Sequence, residues 1–449
     1  MEFNLADLFE AAADAFGERE YLVADGQRRT YSQMEQRANR LAHHLGANGV
    51  GAGDHVGIYA YNSAEWVEAA WAVFKLRGVW TNINYRYVEE ELEYLFENAD
   101  LISLIYQRQL APRVGAVLHG LPKLRHSIVI EDGTDDPEDA AAAAKVGSIP
   151  YEEALAAQSA ERDFAPRSPH DLYILYTGGT TGMPKGVVWR HEDVFFALGG
   201  GIDHVTGERV TRPEQMVEKG KAAGGQVTGL PIAPLMHGAT QWGVMGQSFV
   251  GNKVVLVARF DPARVWRLVE QEKANLVMIT GDAMARPLVE ALDEPGVSYD
   301  LSSLLAISST AAVFSPSVKD DFFRHLPNLV ISEAIGSSET GSNGYTLVDP
   351  EKTAMKGGPT VKPGTDTVVL DEEMNPLAPG TGVVGKLART GNIPLGYYND
   401  PVKTAETFVE VDGRRYAMPG DFAILEADET LTLLGRGSVS INSGGEKIY

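Results

Sequence analysis

Between residues 176 and 186 the sequence reads YTGGTTGMPKG, with four glycines, three threonines and one lysine. A structural turn has no reason to give up that much backbone entropy, so the run should have a use. Glycine lets main chain approach an anion closely, threonine hydroxyls add donors, and lysine adds charge; together they suit phosphate. The apolar stretch DLYILY, residues 171–176, predicts a strand running straight into this loop. Two familiar phosphate motifs do not fit. Pro184 stands before Lys185 where Walker A needs Gly, Gly186 follows where Ser or Thr is needed, and the GxGxxG spacing is absent.

A loop of this kind must be held by regular elements, and the flanking sequence supplies them. Helical spacing of Met34, Ala38, Leu41, Ala42 and Leu45 predicts a helix over 32–46, with a Ser32/Glu35 capping box. A second helix is expected over 63–75, stopped by Gly78. Short apolar runs at 55–60, 101–106, 127–130 and 172–176 read as buried strands. The alternation continues with strands at 253–257, 275–280, 304–309 and 329–335 and helices at 262–272 and 283–292. Buried strands joined by amphipathic helices imply α/β sheets covered on both faces. From 357 to 434 the pattern changes to short β-like pieces at 367–370, 384–388 and 431–434, which reads as a small β-barrel or distorted sheet. The stretch 201–229 reads as a long surface loop, and the acidic, alanine-rich 131–147 as a solvated excursion.

The length of 449 residues suggests about two to four core units. With 61 acidic against 39 basic residues, the net charge of −22 argues against nucleic acid or an anionic bilayer held by a global basic field. It does not oppose a small anionic ligand, because local backbone N–H groups and one or two lysines can hold phosphate. The absence of cysteine excludes disulfides, thiolate metal sites and cysteine nucleophiles. The N-terminus lacks the pattern of a signal peptide and no apolar run has transmembrane length, so a cytoplasmic protein is expected. Peripheral membrane contact and a homodimer remain open to it.

The loop resembles the phosphate-binding signature of the adenylate-forming superfamily, which includes acyl-CoA synthetases, firefly-type luciferases and the adenylation domains of peptide synthetases. PIAPLMHGAT (231–240), IGSSETG (335–341), GYYNDPVKTAETF (396–408), YAMPGD (416–421) and LGRGSVSINSGGEKIY (434–449) follow in that family's order. The wording is most similar to actinobacterial fatty and steroid-side-chain acyl-CoA synthetases. The resemblance implies two helix-flanked sheets in a layered αβαβα arrangement plus a small β-barrel. It divides the chain into a first α/β unit (1–200) with the phosphate loop, a second (201–350) with acyl and adenine sites, a β-barrel (351–435) and a hinge stub (436–449). Relatives continue into a small mobile domain, which is expected to be missing here, leaving thioester formation weak or absent. The usual hinge aspartate is replaced by Ser438.

By resemblance, the protein joins a carboxylic acid to ATP with Mg²⁺ and passes the acyl group to coenzyme A. Thr177, Gly178, Gly179, Thr180, Thr181 and Gly182 then wrap the phosphates and Lys185 steadies the loop or its charge, with Gly178 in place of a frequent serine. Glu339 holds Mg²⁺, and Ser338, where threonine is usual, offers its hydroxyl to the α-phosphate. Asp421 accepts the ribose hydroxyls, assisted by Arg436. Adenine lies between Ser309, Thr310, Ala311 and Ala312 and the backbone of Glu333, Ala334 and Ile335, where Ile335 replaces a frequent tyrosine. His237 borders the carboxylate and acyl tunnel. Met236, Gly238, Gln241, Trp242, Gly281, Asp282, Met284 and Gly336 contribute to the acid site, Asp282 and Arg286 facing each other or the margin. The small side chains among them are expected to leave volume for a long or ring-bearing acid. Two alternatives stay open. An amino-acid- or carrier-loading domain would need an acid for the substrate ammonium, and no FDxS-like stretch follows MHGATQW. A catalytically silent acyl- or nucleotide-binding module would have no need of Lys185, Glu339, Asp421 and Arg436.

Overall fold

The computed structural model describes residues 2–118, 121, 123–177, 183–203, 206–350 and 358–436, and the backbone of 441–443 and 446–448. Two large sheets dominate. The first runs in the order Gly396–Tyr397, Lys185–Arg190, Leu172–Thr177, Val79–Asn82, His55–Tyr59, Leu101–Gln107, His126–Ile130, Ile149–Pro150. Its strands from Leu172–Thr177 onward are parallel, while the two at the other edge are antiparallel. The second sheet has a parallel centre of Glu20–Ala24, Lys253–Leu256, Thr228–Pro231, Leu276–Ile279, Ala306–Thr310 and Val330–Ser337.

Period-two alternation decides which face each side chain serves. Ile105 points to one side of the first sheet, into a core shared with Val56 and Ile58, while Leu104 and Tyr106 point to the other. The shared core lies between the sheets and contains the helices Leu5–Phe16, Tyr31–Ala47, Ala64–Lys75 and Gly238–Phe249. Ala64–Lys75 is buried along its whole length, as a helix between two sheets must be. Its Lys75 ammonium is neutralised by Glu10 at 2.6 Å and Glu35 at 2.8 Å. Outside the first sheet pack Glu89–Asn98, Ala111–Val117 and Pro137–Val146; outside the second pack Pro262–Glu272, Asp282–Leu292 and Pro316–His325. The layering is therefore αβαβα.

A third, antiparallel unit continues from the second sheet through Thr360–Pro363 into Leu431–Arg436, Asp421–Leu425, Gly385–Arg389, Arg414–Ala417 and Phe408–Val411, with Thr367–Leu370 branching from Gly385–Arg389. It encloses Ile335, Val361, Val369, Leu387, Ala423 and Leu431. Among the described residues its pairings form a branched run and not a closed ring.

Local details differ from the sequence reading. The first long helix is capped two residues earlier, by Thr30 with Gln33 in a reciprocal box, because Tyr31 is already helical. The 201–229 stretch contains the helix Glu214–Ala222, and 131–147 contains Pro137–Val146, capped by Asp136 and closed by Gly147 at φ +77°. Strands Glu20–Ala24 and Gln27–Thr30 belong to the second sheet although they precede the first in the chain, and Gly396–Tyr397 returns to the first sheet. Sheet membership thus cuts across simple sequence boundaries.

Candidate active site

The phosphate-type loop closes a hairpin. Leu172–Thr177 and Lys185–Arg190 pair antiparallel with Thr177 opposite Lys185, so the loop begins and ends where the ladder does. Gly186 is required by packing: a Cβ there would lie 2.9 Å from Ile174 Cγ2 and the Tyr176 ring. Gly178, Gly179, Thr180, Thr181 and Gly182 lie outside the described residues. Lys185 is half-buried, with Nζ 5.4 Å from the centre of the Tyr397 ring. Burial and Lys403 hold its pKa below the usual lysine range, against the pull of Asp400, Glu339 and Glu406.

Glu339 sits in the tight turn between the antiparallel strands Val330–Ser337 and Gly341–Leu347. The turn needs its glycines, since a Cβ on Gly336 would fall 2.2 Å from the Gly341 carbonyl and Gly341 has φ +70°. Ser337 and Thr340 hydroxyls meet at 3.0 Å across the turn, and Asn343 Nδ2 donates to Thr340 Oγ1 at 3.0 Å. From the first sheet, Trp189 Nε1 donates to the Ser338 carbonyl at 3.0 Å. Glu339 is only 6% exposed, and its carboxylate accepts from Tyr397 Oη at 2.9 Å. Burial, followed by the Glu339 charge, pushes the Tyr397 hydroxyl far up, so it remains a donor.

Asp421 and Arg436 stand opposite each other on neighbouring strands of the third unit, with Nε to Oδ1 at 3.0 Å and Nη2 to Oδ2 at 3.4 Å. Burial opposes the Arg436 charge, but Asp421 and Glu339 outweigh it and raise the pKa. Lys185 from the first sheet, Glu339 from a turn of the second and the Asp421/Arg436 pair from the antiparallel unit that continues it therefore come together, with Tyr397 touching the first two.

The other expected residues surround the carboxyl ends of the second sheet's parallel strands, where open α/β sheets place ligands. Ser309 and Thr310 pair with Glu333 and Ala334. Ala311 follows at φ +68°, a conformation costly for a residue with a Cβ, and Ala312 N–H closes back on the Thr310 carbonyl at 2.9 Å. Ser309 Oγ accepts from the Gly281 N–H at 3.1 Å. Asp282 accepts from the Ser315 N–H at 2.8 Å and faces Arg286 at 3.7 Å, so its carboxylate serves the protein's own loop. Met284 is buried beside Thr280, whose Oγ1 lies 3.4 Å from Sδ. His237 begins the helix Gly238–Phe249 and is half-buried, whereas Met236 beside it is 3% exposed.

Several side chains point elsewhere than the sequence reading supposed. Ile335 contributes to the core of the third unit and leaves only backbone to the adenine position. Glu333 is bound by the buried Lys319. Gln241 is fully buried and accepts from Tyr173 Oη at 2.5 Å, and Trp242 packs edge-on against the same ring at 5.6 Å. At two of the small residues the space a side chain would take is already occupied. A Cβ on Gly238 would meet Leu175 Cδ2 at 2.5 Å, and one on Gly281 would meet the Val313 carbonyl at 2.4 Å. Their smallness is used for close packing. A hollow of about 410 Å³ lined by Leu301, Leu304, Leu326 and Leu329 lies at the opposite, amino ends of the strands.

Sequence reasoning gave Tyr397 no role, although it stands inside GYYND. The signal was a tyrosine in a two-residue strand, which periodicity cannot register. Asn62 and Asn82 were also passed over. They are 3% and 2% exposed, and buried amides nearly always serve a hydrogen-bonding purpose.

Comparison with known proteins agrees with this arrangement. The AMP-binding enzyme family matches residues 9–398. The 3-oxocholest-4-en-26-oate–CoA ligase of Rhodococcus rhodochrous is 52% identical over 453 aligned residues, covering 100% of this chain and 80% of that protein. A medium/long-chain-fatty-acid–CoA/3-oxocholest-4-en-26-oate–CoA ligase of Mycobacterium marinum is 50% identical, covering 99% and 80%. The fold matches the crystal structure of the anthranilate CoA ligase AuaEII in complex with anthranoyl-AMP, with a TM-score of 0.80 at 21% identity, over 99% of this chain and 80% of that one. The chain belongs to the AMP-binding enzyme family, and the relatives about half identical to it are ligases that join carboxylic acids to coenzyme A.

Proposed function

We propose that this chain activates a fatty or steroid-side-chain carboxylic acid with Mg²⁺·ATP, for transfer to coenzyme A. The observation that carries the proposal is the meeting of Lys185 and Tyr397 of the first sheet with Glu339 and Arg436 of the second and its antiparallel continuation around a buried glutamate. A fold gains little by burying an acid between units that could each be closed with apolar groups. Among the described residues no cluster of three or more His, Asp or Glu could hold a metal alone. Mg²⁺ is commonly held by one or two carboxylates and shared with substrate phosphates. Glu339 would supply an oxygen ligand, and the cation, when bound, would screen the phosphate charges.

The protein's own groups then have separable tasks. Thr177 and the 178–182 loop, with Lys185, hold the β- and γ-phosphates, and Ser338 donates towards the α-phosphate. Arg436 orients Asp421, which accepts the ribose hydroxyls. The Ser309–Ala312 and Glu333–Ile335 backbones flank adenine. His237 stands beside the acid. A carboxylate oxygen attacks the α-phosphorus, the bond to the β-phosphate bridging oxygen breaks, and its electron pair leaves with pyrophosphate. The thiolate of coenzyme A then forms the carbon–sulfur bond as AMP departs. Placing two anions in line is most of the work, which fits fixed charges and donors better than a covalent nucleophile.

The acid class rests on the relatives named above. ATP–pyrophosphate exchange over a panel of acetate, medium- and long-chain fatty acids, 3-oxocholest-4-en-26-oate and amino acids tests it. Exchange should be strongest with the fatty or steroid acids. Preference for acetate or an amino acid, or no exchange with any acid, would overturn the proposal.

A further inference from the structure

Two buried asparagines of the first sheet hold the loop that carries His237. Asn62, three residues past the strand His55–Tyr59, donates through Nδ2 to the carbonyls of Ala233 at 3.1 Å and Val257 at 3.0 Å, and its Oδ1 accepts from the Leu235 N–H at 2.6 Å. All its partners belong to chain leaving the second sheet. Asn82 is different. It ends the strand Val79–Asn82, whose ladder with Leu172–Thr177 stops at Thr81 opposite Ile174. Beyond that point its side chain replaces the ladder: Oδ1 accepts from the Tyr176 N–H at 2.8 Å and Nδ2 donates to the Tyr176 carbonyl at 3.0 Å. The second Nδ2 hydrogen goes to the Met236 carbonyl at 2.6 Å.

One amide therefore joins the last residue before Thr177 to the last residue before His237. Only an uncharged group with two donors and an acceptor can satisfy all three backbone atoms in a site this dry. The two joined segments also touch directly, because Gly238 packs against the Leu175 side chain, whose Cδ2 would lie 2.5 Å from a Cβ there. A shift at the base of the phosphate loop cannot leave the His237 loop in place without breaking a buried hydrogen bond.

We infer that Asn82 is a positioning residue that couples occupancy of the phosphate loop to the placement of the acid-binding loop, so that nucleotide and acid each tighten the other. The inference rests on the proposed phosphate and acid sites. Coupling of this kind is reciprocal and is read as a ratio of dissociation constants. Asn62 provides the control, since it braces the same loop without touching the phosphate strand.

The test measures binding of a non-hydrolysable ATP analogue with Mg²⁺, with and without saturating decanoate. In the unaltered protein decanoate should tighten the analogue about 5-fold or more. Asn82→Ala should reduce that ratio to less than about 2-fold, while Asn62→Ala should weaken decanoate binding and keep the ratio. An unchanged ratio in Asn82→Ala, or no coupling in the unaltered protein, overturns the inference. Should Asn82→Ala fail to fold, hydrogen exchange on the unaltered chain decides it: the analogue alone should protect 234–240 as well as 172–190. Protection of 172–190 without 234–240 removes this inference and leaves the proposed function standing. No binding of the analogue removes both.

Discussion

Changing Tyr397 to Phe deletes one oxygen and should expose what Glu339 depends on. The ring stays, so its contact with the Lys185 ammonium at 5.4 Å and its edge-on packing with Phe408 at 5.6 Å survive. What goes is the 2.9 Å hydrogen bond to the carboxylate of a residue that is 6% exposed. Hydrogen bonds to charged groups are worth about 1.5–3 kcal/mol, and removing the donor leaves the acceptor to bear its desolvation. At 1.4 kcal/mol per factor of ten, that is roughly a 10- to 150-fold effect if the whole of it falls on one step. The carboxylate would then lose this anchor to the first sheet.

Pyrophosphate exchange by Tyr397→Phe should therefore lose about 10-fold or more in kcat/KM for Mg·ATP. The KM for the acid should change little, because the acid loop is held by Asn62 and Asn82, far along the chain from this hydroxyl. An unchanged kcat/KM for Mg·ATP would refute the reasoning, as would an equal loss in acid KM. Tyr397→Ala provides the second reading. It also removes the ring from Lys185 and Phe408 and should lose more activity and more stability than the Phe variant.

Glu339→Gln keeps the Tyr397 partner and removes the charge, and should depress exchange by about 100-fold or more at saturating Mg²⁺, the scale of one electrostatic stabiliser; an unaltered rate would remove Glu339 from the reaction. Gly238→Ala should impair every acid alike, because its Cβ would meet Leu175 2.5 Å away, under the phosphate strand; selective loss of bulky acids alone would contradict that packing. His191 is fully buried, and burial lowers its pKa from 6.5 to about 4 against the opposing pull of Asp171. The unfolded chain therefore takes up this proton first. Stability from His191 is complete above about pH 6.5 and falls as pH drops towards 4, by about 3 kcal/mol in all. Denaturant midpoints of His191→Gln should lack this part of the acid slope, and identical slopes in both proteins would refute it.

Much of the fold was legible because its signals are local. Leu104, Ile105 and Tyr106 alternate faces between two cores, and an apolar run that must satisfy both faces reads as a buried strand in sequence. What local pattern could not convey was pairing. Glu20–Ala24 crosses to the second sheet and Gly396–Tyr397 returns to the first, and a strand carries no mark of its neighbour. The helix Glu214–Ala222 was missed because only Met216 and Gly220 along it are buried, which leaves almost no apolar stripe to detect.

The candidate site divides along the same line. Residues that face a ligand stand in motifs with unusual composition, and Lys185, Glu339, Asp421 and Arg436 could be picked out by resemblance. The structure adds that Lys185 comes from one sheet and Glu339 and Arg436 from the other and its continuation, and that they meet around Tyr397. Residues that only hold others in place leave a weaker trace, because any polar residue in a loop looks alike in sequence. The glycines show the opposite error. Gly238 and Gly281 suggested an open wall, yet a missing side chain can equally mean that a neighbour already fills the space, and Leu175 and Val313 do. Small residues near a site therefore say nothing about ligand size until the nearest atom is known. The two asparagines fix where the loop carrying His237 stands, whatever acid it meets.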